Sequence, residues 1–121
     1  MSHPIDVVQA YFHAMQGGPA NRAELFALFA DDAVYVEPFS GQTLTHEGRA
    51  AIEAYLAASW EQAPPDLELQ VDRIDVDGDV VVSEWTCRSP ALPVPYRGRD
   101  TCTVREGRIQ RLEVEPLGDT A

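Results

Sequence analysis

The chain has 121 residues, a formal net charge of −11 and 45% apolar residues. That length holds one core, because two halves would each bury too little surface, and residues 1–121 are expected to form a single domain. The apolar share excludes wholesale disorder, the negative charge argues against nucleic acid and anionic membranes as partners, and no apolar run approaches the roughly 20 residues of a membrane span.

Met1-Ser2-His3-Pro4-Ile5-Asp6 lacks the basic and apolar parts of a secretion signal, so a cytoplasmic location is expected. A first helix should start near Pro4, with Asp6 at the positive end of its dipole. Ile5, Val8, Phe12 and Met15 form its apolar stripe, with Tyr11 on the edge of that stripe, and Gly17-Gly18-Pro19 ends it. A second helix is predicted from Asn21, with Glu24 at capping-box spacing and Leu25, Leu28 and Phe29 as its buried face. Asp31-Asp32 then turn the chain into a short extended segment, Ala33 to Glu37, stopped by Pro38. Within it Tyr35 and Glu37 share one face and Val34 and Val36 the other. A third helix follows Gly48 and runs to about Trp60, carrying Ile52, Tyr55, Leu56 and Ser59 on one side, and Pro64-Pro65 closes it.

From Asp66 the apolar period becomes two. Leu67, Leu69 and Val71 alternate, the phase slips at Asp72-Arg73, and Ile74 and Val76 resume; a slip of one residue would flip the face, so a β-bulge is predicted there. Asp77-Gly78 signals a hairpin into Val80 to Cys87. A connection containing Pro90, Pro93 and Pro95 leads to a strand from about Tyr96 to Val104, and Glu106-Gly107 turns into a last strand, Arg108 to Val114. Helices first and strands after make an α+β chain. Three helices on a curved, mostly antiparallel sheet can wrap into a cone whose open mouth binds a small ligand.

The two cysteines, Cys87 and Cys102, have no metal-ligand spacing and are expected as reduced, half-buried thiols. His3, His13 and His46 form no metal motif, and His46 reads as a pocket-rim or capping residue. Trp60, Trp85 and Tyr96 read as core or rim aromatics. The serines lack a nucleophile-elbow context and no Gly-rich phosphate loop occurs, so neither metal nor cofactor is implied.

The runs Val7-Val8-Gln9-Ala10-Tyr11, Leu28-Phe29-Ala30-Asp31-Asp32-Ala33, Glu37-Pro38-Phe39 and His46-Glu47-Gly48-Arg49 resemble the SnoaL-like and ketosteroid-isomerase-like families of the NTF2-like superfamily. So do Gly98-Arg99-Asp100 and Gly107-Arg108-Ile109, so the resemblance covers nearly the whole chain. It implies the cone-shaped, pocketed fold, a homodimer paired through the convex sheet face, and a small apolar ligand or substrate. The steroid-isomerase branch places a Tyr on the first helix, a carboxylate just before a Pro on the first short strand and an Asp on a late strand. Tyr11, Glu37 and Asp100 stand at those places. The implied catalytic set is therefore Glu37 as a base that shuttles a proton on carbon, with Tyr11 and Asp100 as neutral donors to the enolate oxygen. Where one branch has further tyrosines bonded to the first-helix Tyr, this chain has Phe29 and Leu56, so Tyr11 is expected to act without such a chain. The Arg-x-Asp of the limonene-epoxide-hydrolase branch is missing from Glu84-Trp85-Thr86-Cys87, whereas a polyketide-cyclase-like chemistry on Asp100, His46 or Glu37 stays open.

The residue types suit that chemistry. A carboxylate in a dry pocket removes a proton beside a carbonyl only when preorganised donors hold the developing oxyanion. Asp100 can donate only while protonated, which an apolar surrounding favours. Its strand face carries Gly98, Cys102 and Val104, with Arg99, Thr101 and Thr103 opposite. Each residue also has a plainer reading: Tyr11 as a half-buried aromatic, Glu37 as a solvated strand-end acid, and Asp100 as the partner of Arg49 or Arg97. A non-catalytic module that binds an apolar ligand or merely dimerises is the alternative function.

Overall fold

The computed structural model describes residues 3–39, 41–63 and 66–117. Helix α1 spans Pro4–Gly17, and a 3-10 turn, Gly18–Asn21, leads into α2, Arg22–Ala27. Strands β1 (Phe29–Glu37) and β2 (Leu44–Glu47) precede α3 (Arg49–Glu61). Four strands complete the chain: β3 (Glu68–Asp77), β4 (Val80–Arg88), β5 (Tyr96–Arg105) and β6 (Arg108–Pro116). The predicted helix stop at Pro64-Pro65 lies outside the described residues.

Helix α1 begins as its sequence dictates. Pro4 occupies the first turn, where its missing N–H costs nothing, and His3 Nδ1 accepts from the Ile5 N–H at 3.2 Å. Gly18, at φ 61°, closes the helix by donating its N–H to the carbonyls of Ala14 and Met15. The buried face is rotated from the predicted one: Val7, Val8, Tyr11, Phe12 and Ala14 are buried, while Ile5 and Met15 are half-buried. Tyr11 thus sits in the middle of the stripe.

Helix α2 differs from its prediction in both ends. Asn21 and Glu24 bond each other's side chains, Nδ2 to Oε2 at 3.2 Å, and Asn21 makes no side-chain cap. The helix stops at Ala27, and Phe29 belongs to β1, fully buried and paired with Ile109. Long-range pairing overrides local helical spacing here: Ile109 donates its N–H to the Leu28 carbonyl at 2.7 Å and draws the chain into the sheet. Asp31 and Asp32 are exposed strand residues in the stretch where the β1–β6 register shifts.

The six-stranded sheet has the order β2-β1-β6-β5-β4-β3, with β1 and β6 parallel and every other pair antiparallel. The phase slip read at Asp72-Arg73 is a register shift between Val71 and Arg73. The first hairpin turns at Gly78-Asp79, one residue beyond the predicted pair, and the last turns at Glu106 and Gly107, both at positive φ. Cys87 faces Tyr96 across the β4–β5 ladder and Cys102 faces Val81, so the two free thiols lie far apart along it. Helix α1 packs against β3, β4 and β5, and α3 against β1 and β2, so the two long helices cover opposite halves of one sheet face. Among the described residues no helix is long and apolar enough to cross a membrane.

Candidate active site

Because α1 and α3 cover different halves of the sheet, a cavity of about 860 Å³ opens between them. Tyr11, Glu37 and Asp100, read from distant parts of the sequence, all line it. Each arrives there by its element's period. Tyr11 points inward from α1; Glu37 alternates inward with Tyr35 and Ala33 on β1; Asp100 alternates inward with Gly98 and Cys102 on β5. All three are buried, Glu37 at 1% and Asp100 at 2% exposure.

The two carboxyls meet different surroundings. Two donors converge on Glu37, the Phe39 N–H at 2.8 Å from Oε1 and His46 Nε2 at 2.9 Å from Oε2, and the Tyr55 phenol stands near the same carboxylate. The sharp turn at Pro38 brings the Phe39 amide back to the side chain two residues earlier. Burial and the adjacent Glu37 push the Tyr55 phenol up to about 12, so it stays a donor.

Asp100 meets a single side-chain donor among the described residues. Burial raises its pKa to about 7, against the opposing effect of a hydrogen bond that Trp85 Nε1 donates to Oδ1 at 2.9 Å. An indole N–H only donates, so Oδ1 is an acceptor and an acid proton belongs on Oδ2. Gly98 makes this contact possible. It faces Trp85 across the ladder, and a Cβ there would come within 2.3 Å of the indole ring. The arginines considered as partners act elsewhere. Arg49 pairs with Asp31 and Glu53, and Arg97 stands on the opposite face of β5 from Asp100.

Tyr11 has a tyrosine neighbour that the positions of Phe29 and Leu56 did not reveal. That neighbour is Tyr35 on β1, and burial, foremost, raises both phenols far above their ordinary range. Asp100 is close enough to raise both phenols further. The sequence reading looked for tyrosine partners on helices, whereas the partner comes from a strand; Tyr35 was visible only as a face-mate of Glu37.

His46, read as a pocket-rim or capping residue, is not among the described residues that line the cavity. It lies on β2, directly opposite Tyr35 in the ladder, with its ring stacked on Tyr55 at 4.3 Å between centroids. The one available signal was the register that a strand at residues 44–47 would impose, and that strand is too short to read from its pattern. Near the cavity rim Phe39, Trp85 and Tyr96 form an aromatic cluster, Trp85 and Tyr96 stacked at 5.7 Å. Among the described residues no cluster of His, Cys, Asp and Glu could hold a metal ion.

The SnoaL-like domain matches residues 8–112. No curated protein matches the chain. Among solved structures, a candidate polyketide cyclase from Sinorhizobium meliloti is 25% identical, with a TM-score of 0.77 over 94% of this chain and 100% of that one. A candidate ketosteroid isomerase from Kribbella flavida DSM 17836 is 22% identical, with a TM-score of 0.75 over 96% and 78%. An NTF2-like protein of unknown function from Burkholderia pseudomallei K96243 is 18% identical, with a TM-score of 0.80 over 97% and 92%. With matched residues reaching from α1 into β6, the chain belongs to the SnoaL-like domain family.

Proposed function

We propose that this protein is an enzyme that moves a proton within a small apolar carbonyl compound bound in the cavity between α1 and α3. The observation that carries the reading is the pair of buried carboxyls in one cavity, Glu37 held by two donors and Asp100 buried in a setting that favours its acid form. Opposite environments for two acids in one site separate a base from an acid. A carboxylate has about four acceptor positions, and the two donors on Glu37 leave it room for a substrate proton. In the proposed reaction Glu37 takes a proton from the carbon beside the carbonyl. The negative charge moves to the carbonyl oxygen, which accepts from protonated Asp100 and from the Tyr11–Tyr35 pair. Glu37 then returns the proton to a second carbon. The volume beside Glu37 favours this reading over a merely structural module, whose side chains would fill the space.

The Phe39, Trp85 and Tyr96 cluster favours a second reading within the same site. A flat aromatic polyketide would stack there, and the same acid and base would serve a cyclisation. In either case the protein works as a cofactor-free cytoplasmic homodimer, with a small apolar molecule as its partner.

The test is to mix the protein with a β,γ-unsaturated ketosteroid and follow the absorbance of the conjugated enone. The expected result is a rise above buffer that Asp100→Ala slows about 100-fold. No rise with the wild type, equal to that of Asp100→Ala, overturns the reading for steroids.

A further inference from the structure

The cavity that holds Glu37 and Asp100 carries charge of one sign. Both acids line it, and among the described residues none of the chain's arginines does; the chain has no lysine. The arginines are engaged elsewhere. Arg49, Arg99, Arg105 and Arg111 pair with carboxylates outside the cavity, and Arg22 is exposed, its guanidinium 5.8 and 6.0 Å from the Phe26 and Trp60 ring centroids. The aromatic cluster is tied to both acids. Phe39 donates its backbone N–H to Glu37 Oε1, Trp85 donates its indole N–H to Asp100 Oδ1, and the Tyr96 ring lies 5.7 Å from each of those two rings. The face of an aromatic ring is negative and attracts a cation. Carboxyl groups and ring faces therefore act in the same direction, between walls that screen charge less than water does. The net charge of −11 adds to that field.

We propose that the cavity selects its ligand by charge, accepting an apolar carbonyl compound that bears an ammonium group and refusing one that bears a carboxylate, sulfate or phosphate. The inference deepens the reading above and rests on it in one respect, that Glu37 acts as a carboxylate. A ketone placed for the proton shuttle takes the donors Asp100, Tyr11 and Tyr35 for its own oxygen. A second, anionic group on the same molecule then meets no cation in the lining and faces Glu37. An ammonium group meets the faces of Phe39, Trp85 and Tyr96 and the same carboxylate, which offset its lost hydration. An uncharged ligand falls between the two. Leu44 is where the sign can be changed: it lines the cavity directly opposite Glu37 in the β1–β2 ladder and is 40% exposed.

Three matched probes test this by calorimetry at neutral pH and physiological salt: an acetylnaphthalene carrying a methyl, an aminomethyl or a carboxylate group on its far ring. A shift of the Trp85 indole N–H signal on binding places the probe in the cavity. The aminomethyl probe is expected to bind about 100-fold more tightly than the carboxylate probe, with the methyl probe between them. Leu44→Arg is expected to raise the affinity of the carboxylate probe about tenfold and so to narrow the gap; the wild-type order decides alone if that variant does not fold. Equal affinities, a carboxylate probe that binds best, or a gap that Leu44→Arg leaves unchanged overturns the selection. Three probes that all fail to bind overturn it together with the ligand cavity. The expected order with an inert ketosteroid assay upholds the selection and overturns the steroid reaction, whereas an active assay with no order among the probes overturns the selection alone.

Discussion

The two ends of the cavity hold the same functional group in opposite states of provision. At the β1–β2 end, Glu37 receives a backbone amide and an imidazole, with the Tyr55 phenol close by; at the β4–β5 end, Asp100 receives one indole N–H. Both side chains are nearly inaccessible, so exposure does not distinguish them. Burial alone disfavours a charged carboxylate, and what offsets that cost is the number of donors aimed at it. The lesson is that the neighbours of an acid, and not its depth alone, decide how well its charged form is held. Those neighbours come from different elements at the two ends: a tight turn, a short edge strand and a helix for Glu37, and a single cross-strand tryptophan for Asp100.

The largest expected effect tests the Asp100 end by stability. In the folded chain Asp100 keeps its proton up to about pH 7, against an ordinary value of 3.8 when unfolded. Between those values the folded state binds the extra proton, so stability falls as pH rises through the window. Above it the full cost remains, on the order of 4 kcal/mol. Asp100→Asn keeps an acceptor for Trp85 and carries no charge, so the variant is expected to gain on the wild type steadily from about pH 4 to pH 7. Denaturant unfolding of both proteins at pH 4, 6 and 8 measures the difference. A stability gap that does not grow with pH shows that Asp100 is ionised throughout and erases the contrast between the two ends.

A smaller effect isolates the one donor at that end. Trp85→Phe removes the indole N–H while keeping an aromatic ring against Gly98, so Asp100 loses the bond that lowers its pKa. Its titration midpoint, followed by the carboxyl 13C signal, is expected to move up from about 7. A downward shift would mean that water enters and replaces the indole. The smallest effect concerns Ser83, directly opposite Asp100 in the ladder and fully buried. Its Oγ has no hydrogen-bond partner among the described residues. Ser83→Ala is therefore expected to leave thermal stability unchanged or to raise it by no more than about 1 kcal/mol. A loss greater than that would show that the hydroxyl serves Asp100 as a second donor and that this end is less bare than it looks.

Much of this protein was legible in its sequence because the signals are local and repeat. The helix start at Pro4, the bulge at Asp72-Arg73, the turn at Glu106-Gly107 and the inward faces of β1 and β5 follow from residue type and period, which fix where a side chain points relative to its own backbone. Those faces were enough to set Glu37 and Asp100 inward and to hold Arg97 away. The end of α2 was not legible: the helical spacing of Leu25, Leu28 and Phe29 is real, yet pairing with β6, some 80 residues on, takes Phe29 into a strand. Nor were the partners of the site residues. Tyr35 on Tyr11, His46 and Tyr55 on Glu37, and Trp85 on Asp100 each join side chains from separate elements. A hydrogen bond between distant segments depends on register and packing angle, to which the period within either segment is blind. The sequence by itself determined which acids face inward; the tertiary structure decided what donors each acid meets, because those donors come from other elements.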